Sequence, residues 1–200
     1  YATGDVSGTN KIGGLIGRNS DLVKYSYASG TVTGEDIIGG LVGQNTYEAA
    51  VTNSYATGNV IGNSDVGGLV GYNEERTVNN SYATGNVKGD QNVGGLVGRN
   101  SDLINNSYAT GTVIGNDSIG GLVGKSEALV PNSNSSGSVD GNSSMIGGLI
   151  GFSTGKVIEC HSTGDVSGNG STMGGLIGEC EANVSLSYST GNVRGNNTIG

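Results

Sequence analysis

The chain has no tryptophan, a single proline (Pro131) and a single histidine (His161) among its 200 residues, and only two cysteines. Charge is sparse as well: 13% of residues are charged, and the formal net charge is −8. The nine Lys and Arg residues are scattered, with no basic run, which argues against a nucleic-acid or anionic-membrane surface. No apolar stretch approaches the length of a transmembrane helix, so direct membrane insertion is not expected. No window carries helical periodicity. A signal peptide is missing too, but the chain opens on a full repeat phrase and stops midway through another, and so reads as a segment of something longer.

What is abundant is glycine, with forty residues. A flexible linker or a collagen would use it differently: here the glycines recur at fixed places in a long repeat, with no Gly-X-Y triplet. A Tyr-Ala-Thr-Gly phrase or a close variant begins at Tyr1, Tyr27, Tyr55, Tyr82 and Tyr108, with degenerate copies at Asn134, His161 and Tyr188. A second phrase, Gly-Gly-Leu-(Ile/Val)-Gly, begins at Gly13, Gly39, Gly67, Gly94, Gly120, Gly147 and Gly174. A period of about 27 residues marks a solenoid, which grows by adding coils and not by enlarging one core. Residues 1–200 therefore read as one repeat domain of about seven and a half coils.

Within each coil, short runs rich in Val, Ile, Thr and Tyr alternate with Gly, Asn, Asp and Ser, which is strand-and-turn chemistry. The expected fold is all-β, a right-handed parallel β-helix with three short strands per coil. At the strand spacing of about 4.8 Å it would form a rod roughly 35 Å long. Alternation assigns faces: if Val87 points inward, so do Gly85, Ala83 and Ser81, while Tyr82, Thr84 and Asn86 point out. The Ala83 position accepts only Ala or Ser, as a tight interior requires, whereas the Tyr82 position accepts Asn134 and His161. A row of small polar residues follows the second phrase: Asn19, Asn45, Asn73, Asn100, Ser126, Ser153 and Cys180. In Gly-Gly-Leu-Val-Gly both Leu and Val are apolar. Either one of them forms an outward contact strip, or the glycines bend the chain so that both are buried. Length changes fall between Gly8-type and Gly13-type glycines and after Gly43, which marks both stretches as outer loops.

These two phrases in tandem resemble the GLUG motif repeat, and the resemblance covers essentially the whole chain. It implies a repeat region of large secreted or cell-surface proteins of bacteria and archaea, such as filamentous-haemagglutinin-like adhesins and IgA-specific metallopeptidases. Metallopeptidase activity does not carry over, because it needs a His-Glu-x-x-His zinc site and the chain has one histidine.

Reactive side chains gather only at Glu159-Cys160-His161 and Glu179-Cys180-Glu181. In an extracellular setting Cys160 and Cys180 could close a disulfide, worth very roughly 3 kcal/mol by loop entropy; the competing reading is two free thiols standing in for small ladder residues. A zinc site from Cys160, His161 and Cys180 lacks a fourth ligand and the usual paired spacing. No cofactor is expected. Calcium in the polar loops would have to do without the Asp-rich nonapeptide of β-rolls. Asp5, Asp36, Asp65, Asp90, Asp117 and Asp140 lie at shifting positions, as turn residues do, and not as a catalytic cluster. No enzymatic activity is expected.

The row Tyr1, Tyr27, Tyr55, Tyr82, Tyr108 and Tyr188 is read as a stacked surface ladder or, alternatively, as a strip for sugars or a partner protein. Mixed Thr, Tyr and Asn rows count against an ice-binding array. N-glycosylation sequons stand at Asn79, Asn105, Asn116, Asn134, Asn142, Asn169, Asn183 and Asn196. The chain thus reads as an extracellular or cell-surface stalk, adhesin shaft or filament subunit. Its expected partners are further coils or copies end to end, then glycans or a host or cell-surface protein. A module binding through the tyrosines is the alternative, and a carbohydrate-active β-helix enzyme comes after it.

Overall fold

The structure is a computed structural model that describes residues 1–47, 49–142, 144–196 and 198–200. It is a parallel β-solenoid, and every strand pairs with its counterpart one coil away. The fourth coil shows the pattern: strands Tyr82–Ala83, Val87–Lys88, Gln91–Gly94, Val97–Asn100 and Ile104–Asn105. Each coil thus contributes five short strands, where three were expected. The chain bends at Gly85 and at Gly95, and two of the three expected strands each become two. We name the resulting sheets after their residues: tyrosine, valine, Gly-Gly, asparagine and corner sheets.

Register is like on like. Val60 pairs Val87 and Val87 pairs Val113; Gly67 pairs Gly94; Asn73 pairs Asn100; Tyr55 pairs Tyr82. The valine and Gly-Gly sheets each hold eight strands, the tyrosine and asparagine sheets seven. The corner sheet alone is split, into four strands and three, between Ile104 and Val130. Pro131 stands at the break and has no N–H to give to the coil before it.

Side chains alternate as the sequence implies. From Ser81 to Asp90 buried residues (Ser81, Ala83, Gly85, Val87, Gly89) alternate strictly with outward ones. The interior is two apolar columns. One stacks the valine row on the Ile/Val row that precedes each Gly-Gly, including Val87, Val93, Val113 and Ile119. The other stacks the Leu and Val of the glycine phrase on the corner-sheet and alanine rows, including Leu96, Val97, Ile104 and Ala109. Both apolar residues of Gly-Gly-Leu-Val-Gly are therefore buried, which decides between the two alternatives: the glycines bend the chain.

They do so by removing side chains where backbones meet. A methyl group on Gly95 would overlap the carbonyl oxygen of Gly121 in the next coil and lie 2.9 Å from Cβ of Ala109. The second glycine of each phrase thus faces the Ala/Ser row, and the coil is pinched there between its two columns. A methyl on Gly98 would meet the backbone of Asp65 and Val66 at 2.5 Å, so the asparagine-sheet strand lies against the Gly-Gly strand of the preceding coil.

Two corners use left-handed residues other than glycine. Tyr25, Asn53, Asn80, Asn106, Asn132, Glu159 and Leu186 have φ between 48° and 55°, each just before the serine row. Asparagine fills the four middle places, as the residue that best tolerates this conformation after glycine. A second row, Lys11, Ile37, Asp65, Asn92 and Ser118, bulges out of the Gly-Gly sheet, whose register skips it: Ser64 pairs Gln91 and Val66 pairs Val93. In the sixth and seventh coils, which carry one more residue here, pairing is continuous through Met145–Thr172 and Ile146–Met173.

The pinch makes a sharp test. Gly95→Ala should cost about 3 kcal/mol or more, or prevent folding. Gly4→Ala, at a glycine with open space around it, should stay within about 0.5 kcal/mol of the parent. Equilibrium urea denaturation distinguishes them; equal midpoints would refute the packing role.

Candidate functional site

Each tyrosine of the outward row is aimed by the corner before it. Asn80 turns the chain left-handed, Ser81 points inward, and its hydroxyl donates to the Asn79 carbonyl at 2.9 Å. That hydroxyl also accepts the N–H of Ser54 at 3.2 Å, so the corners of successive coils are tied together. Tyr82 then emerges on the outer face. Tyr1, Tyr27, Tyr55, Tyr82 and Tyr108 stack in one column, with centroids 4.9–5.1 Å apart and planes within 6° of parallel. Burial, then the neighbouring phenols Tyr108 and Tyr55, push the Tyr82 hydroxyl above the ordinary tyrosine range. Because the rings are stacked along the axis, their faces are occupied by one another. Edges and hydroxyls are what the column presents outward. Tyr188 belongs to the same row but stacks on His161, at 5.2 Å; between Tyr108 and His161 the row holds Asn134.

The row of small polar residues is a buried ladder. Asn19, Asn45 and Asn73 each donate from Nδ2 to the Oδ1 of the next asparagine, at 2.8, 2.9 and 2.8 Å, ending on Asn100. The second amide hydrogen serves the turn: Asn45 donates to the Ala49 carbonyl at 2.7 Å. Asn100 donates to the Ser126 hydroxyl at 3.1 Å, and a hydroxyl has one proton, which Ser126 gives to the Ala128 carbonyl at 3.1 Å. The amide relay therefore stops there while the turn bond persists.

The cysteines do not form a disulfide. Both thiols are free, Cys160 buried and Cys180 exposed. Register explains why: Cys180 stacks on Ser153, while Cys160 belongs to the serine row and takes an N–H bond to Ser187 Oγ at 3.0 Å. Each sulfur does a serine's work, Cys160 toward the carbonyls of Val130 and Ile158 at 3.2 and 3.3 Å, Cys180 toward that of Ala182 at 3.3 Å. Burial pushes the Cys160 thiol up and away from reactivity. His161 points out and stacks on Tyr188 while Cys160 points in, so the two cannot share a zinc ion. Among the described residues no three His, Cys, Asp or Glu side chains converge as metal ligands, the polar loops considered for calcium included.

The acidic residues brace turns and neighbouring coils. Asp5 Oδ1 accepts the Thr31 N–H at 2.7 Å, and Asp165 Oδ1 accepts that of Asn192 at 2.9 Å, which holds Asp165 below the usual carboxylate range. Among the sequon asparagines, Asn116, Asn142, Asn169, Asn183 and Asn196 are exposed and Asn79, Asn105 and Asn134 half-buried. Asn105 and Asn79 engage each other's amides at 3.1 Å.

One row escaped the sequence reading. Arg18, Gln44, Tyr72, Arg99, Lys125, Phe152 and Glu179 stack in register on the asparagine sheet. Arg99 lies 5.0 Å over the Tyr72 ring and Lys125 5.8 Å over Phe152, and Glu127 pairs with both cations at 3.3 and 3.1 Å. Burial raises the Glu127 pKa, but the bond from Lys125 and the fields of both cations outweigh it and hold the carboxyl below its usual range. Asp65, at the left-handed bulge, goes the other way: burial raises it despite the 2.8 Å bond from Asn92. The signal was visible in the sequence as a single free position between Gly-Gly-Leu-(Ile/Val)-Gly and the asparagine row, always filled by a large side chain.

Five segments of the chain, residues 8–33, 37–61, 62–88, 89–114 and 142–167, match the family model described as the GLUG motif. The chain belongs to this family. Each matched GLUG segment is close to one full coil, beginning at or within three residues of the loop glycine after one valine and ending one residue past the next valine of that row. The stretch 115–141 falls outside the matches, and it is here that Ser126 ends the amide relay, Pro131 splits the corner sheet and Asn134 replaces the row tyrosine. No curated protein and no solved structure matches the chain.

Two side chains of these GLUG coils invite tests. Asn73→Ala should cost about 2–3 kcal/mol, because Asn45 and Asn100 lose a buried partner. Asn73→Ser, which repeats the Ser126 arrangement, should cost about half that. Denaturant midpoints decide, and equal losses would show that the relay adds nothing. Asp65→Asn should stabilise the fold at neutral pH. A carboxyl whose folded pKa is raised costs stability above that pKa and nothing below its unfolded value of about 3.9. The gain in melting temperature should therefore fade as pH drops through the carboxylate range; a gain unchanged by pH would point to a cause other than charge burial.

Proposed function

We propose that this GLUG segment is a stiff structural shaft of an extracellular or cell-surface protein, of the stalk, adhesin or surface-filament kind. The observation that carries this reading is the unbroken register: four of the five sheets run through every coil with like residues stacked on like. Two continuous apolar columns and buried Asn and Ser ladders support it, since each coil is held chiefly by its neighbours. Such a rod spaces or presents whatever is joined to it and needs no catalytic cluster. The tyrosine row, considered alternatively as a sugar-binding platform, has its ring faces closed by stacking, which favours a structural use.

A shaft built from coils should yield coil by coil. Pulled from its ends in a single-molecule force experiment, the segment is expected to lengthen in steps of about 90 Å, the extended length of about 27 residues, or in whole multiples of it. Smooth extension at low force without steps would sink the proposal.

A further inference from the structure

We propose that the interruption of the aromatic column at Asn134 is a binding slot for one pyranose ring. Tyr108 and His161 flank Asn134 in register, one coil above and one below. Tyr108 stacks on Tyr82 with its other face toward the gap, and His161 stacks on Tyr188 with its other face toward the gap, planes within 4° and 7° of their partners. Each ring is thus near-parallel to its own stack partner, and register sets Tyr108 and His161 two strand spacings apart, about 10 Å. A ring seated midway would lie at about 4.8 Å from each face, the spacing the column already uses for its own stacked rings. Tyr108 is 38% exposed, whereas His161, like Tyr55 and Tyr82, is half-buried.

The gap is also chemically a sugar's. The Asn134 carboxamide reaches only as far as the base of a tyrosine ring, so a sugar would sit outside it, between the outer halves of the two rings; the carboxamide has no hydrogen-bond partner among the described residues, leaving a donor and an acceptor at the slot's floor. Exposed Ser136 and Thr163 stand two residues after the row positions Asn134 and His161, and exposed Asn132 and Glu159 two before them; the Asn132 amide donates to Asn105 Oδ1 at 3.3 Å. Apolar faces above and below with polar groups around the edge match a pyranose, which has C–H faces and a hydroxyl rim; a purely aromatic guest would leave the rim unused. The slot does not depend on the shaft role, since one coil and its neighbours suffice to build it.

The probe is methyl β-D-glucopyranoside, titrated into protein made without glycosylation while the ring resonances of His161 and the tyrosines are followed by NMR. The expected result is saturable movement of His161 and Tyr108, with Tyr27 and Tyr55 unmoved and a Kd on the order of 1 mM, which a ring of this size in a shallow site supports. Sorbitol, which has the hydroxyls without the ring, should move nothing. Asn134→Tyr completes the column with the residue that other coils carry, and should abolish the response while leaving the fold at least as stable. His161→Ala removes one wall on the outer surface, and should weaken binding about five- to tenfold. Three results would each overturn the slot: no movement at about ten times that concentration, an undiminished response in Asn134→Tyr, or movement with phenol but not with the glucoside.

Discussion

The backbone hydrogen bonds that join each coil to the next in strict register are the interaction on which this solenoid depends. They set the axial repeat at about 4.8 Å and place each residue over its counterpart one period away. Every other stabilising feature is a consequence of that stacking. Valine over valine builds an apolar column, asparagine over asparagine an amide relay, and tyrosine over tyrosine a stack of parallel rings.

Glycine makes the arrangement physically affordable in space. The cross-section folds inward at the Gly-Gly turn, and at Gly95 and its equivalents the backbone approaches both the next coil and the opposite Ala/Ser row too closely for any Cβ. The Gly-Gly pairs that composition alone would associate with flexibility are here wedged against backbone with no room for a Cβ. The two apolar columns exist because this pinch separates them.

Strict repetition also shows where a chain of this kind can carry specificity. Positions that stack like on like are satisfied by their own copies, as the closed faces of the tyrosines illustrate. Chemistry is left to positions where the pattern breaks or was never held: the Asn134 gap, and the Tyr72–Arg99–Lys125–Phe152 row, where cations lie over rings and share Glu127. The stretch 115–141, outside the GLUG matches, concentrates several breaks in one coil.

The period, the β class, the inward and outward faces of Ser81–Val87 and the tight Ala/Ser row were all legible in the amino-acid sequence, because a repeat samples each environment several times and its tolerated substitutions report burial. Strand count was not, since left-handed residues such as Asn80 and Asn106 separate the corner strand from the tyrosine strand with no glycine to mark the turn, and the breaks at Gly85 and Gly95 fall inside phrases that read as continuous. The burial of both Leu and Val in the glycine phrase, the separation of Cys160 from Cys180 and the open faces beside Asn134 were decided by tertiary structure alone. Each depends on where the chain lies relative to its neighbouring coil. A one-dimensional pattern gives the identity of stacked residues, whereas the direction in which a bend sends their side chains follows from backbone contacts between coils.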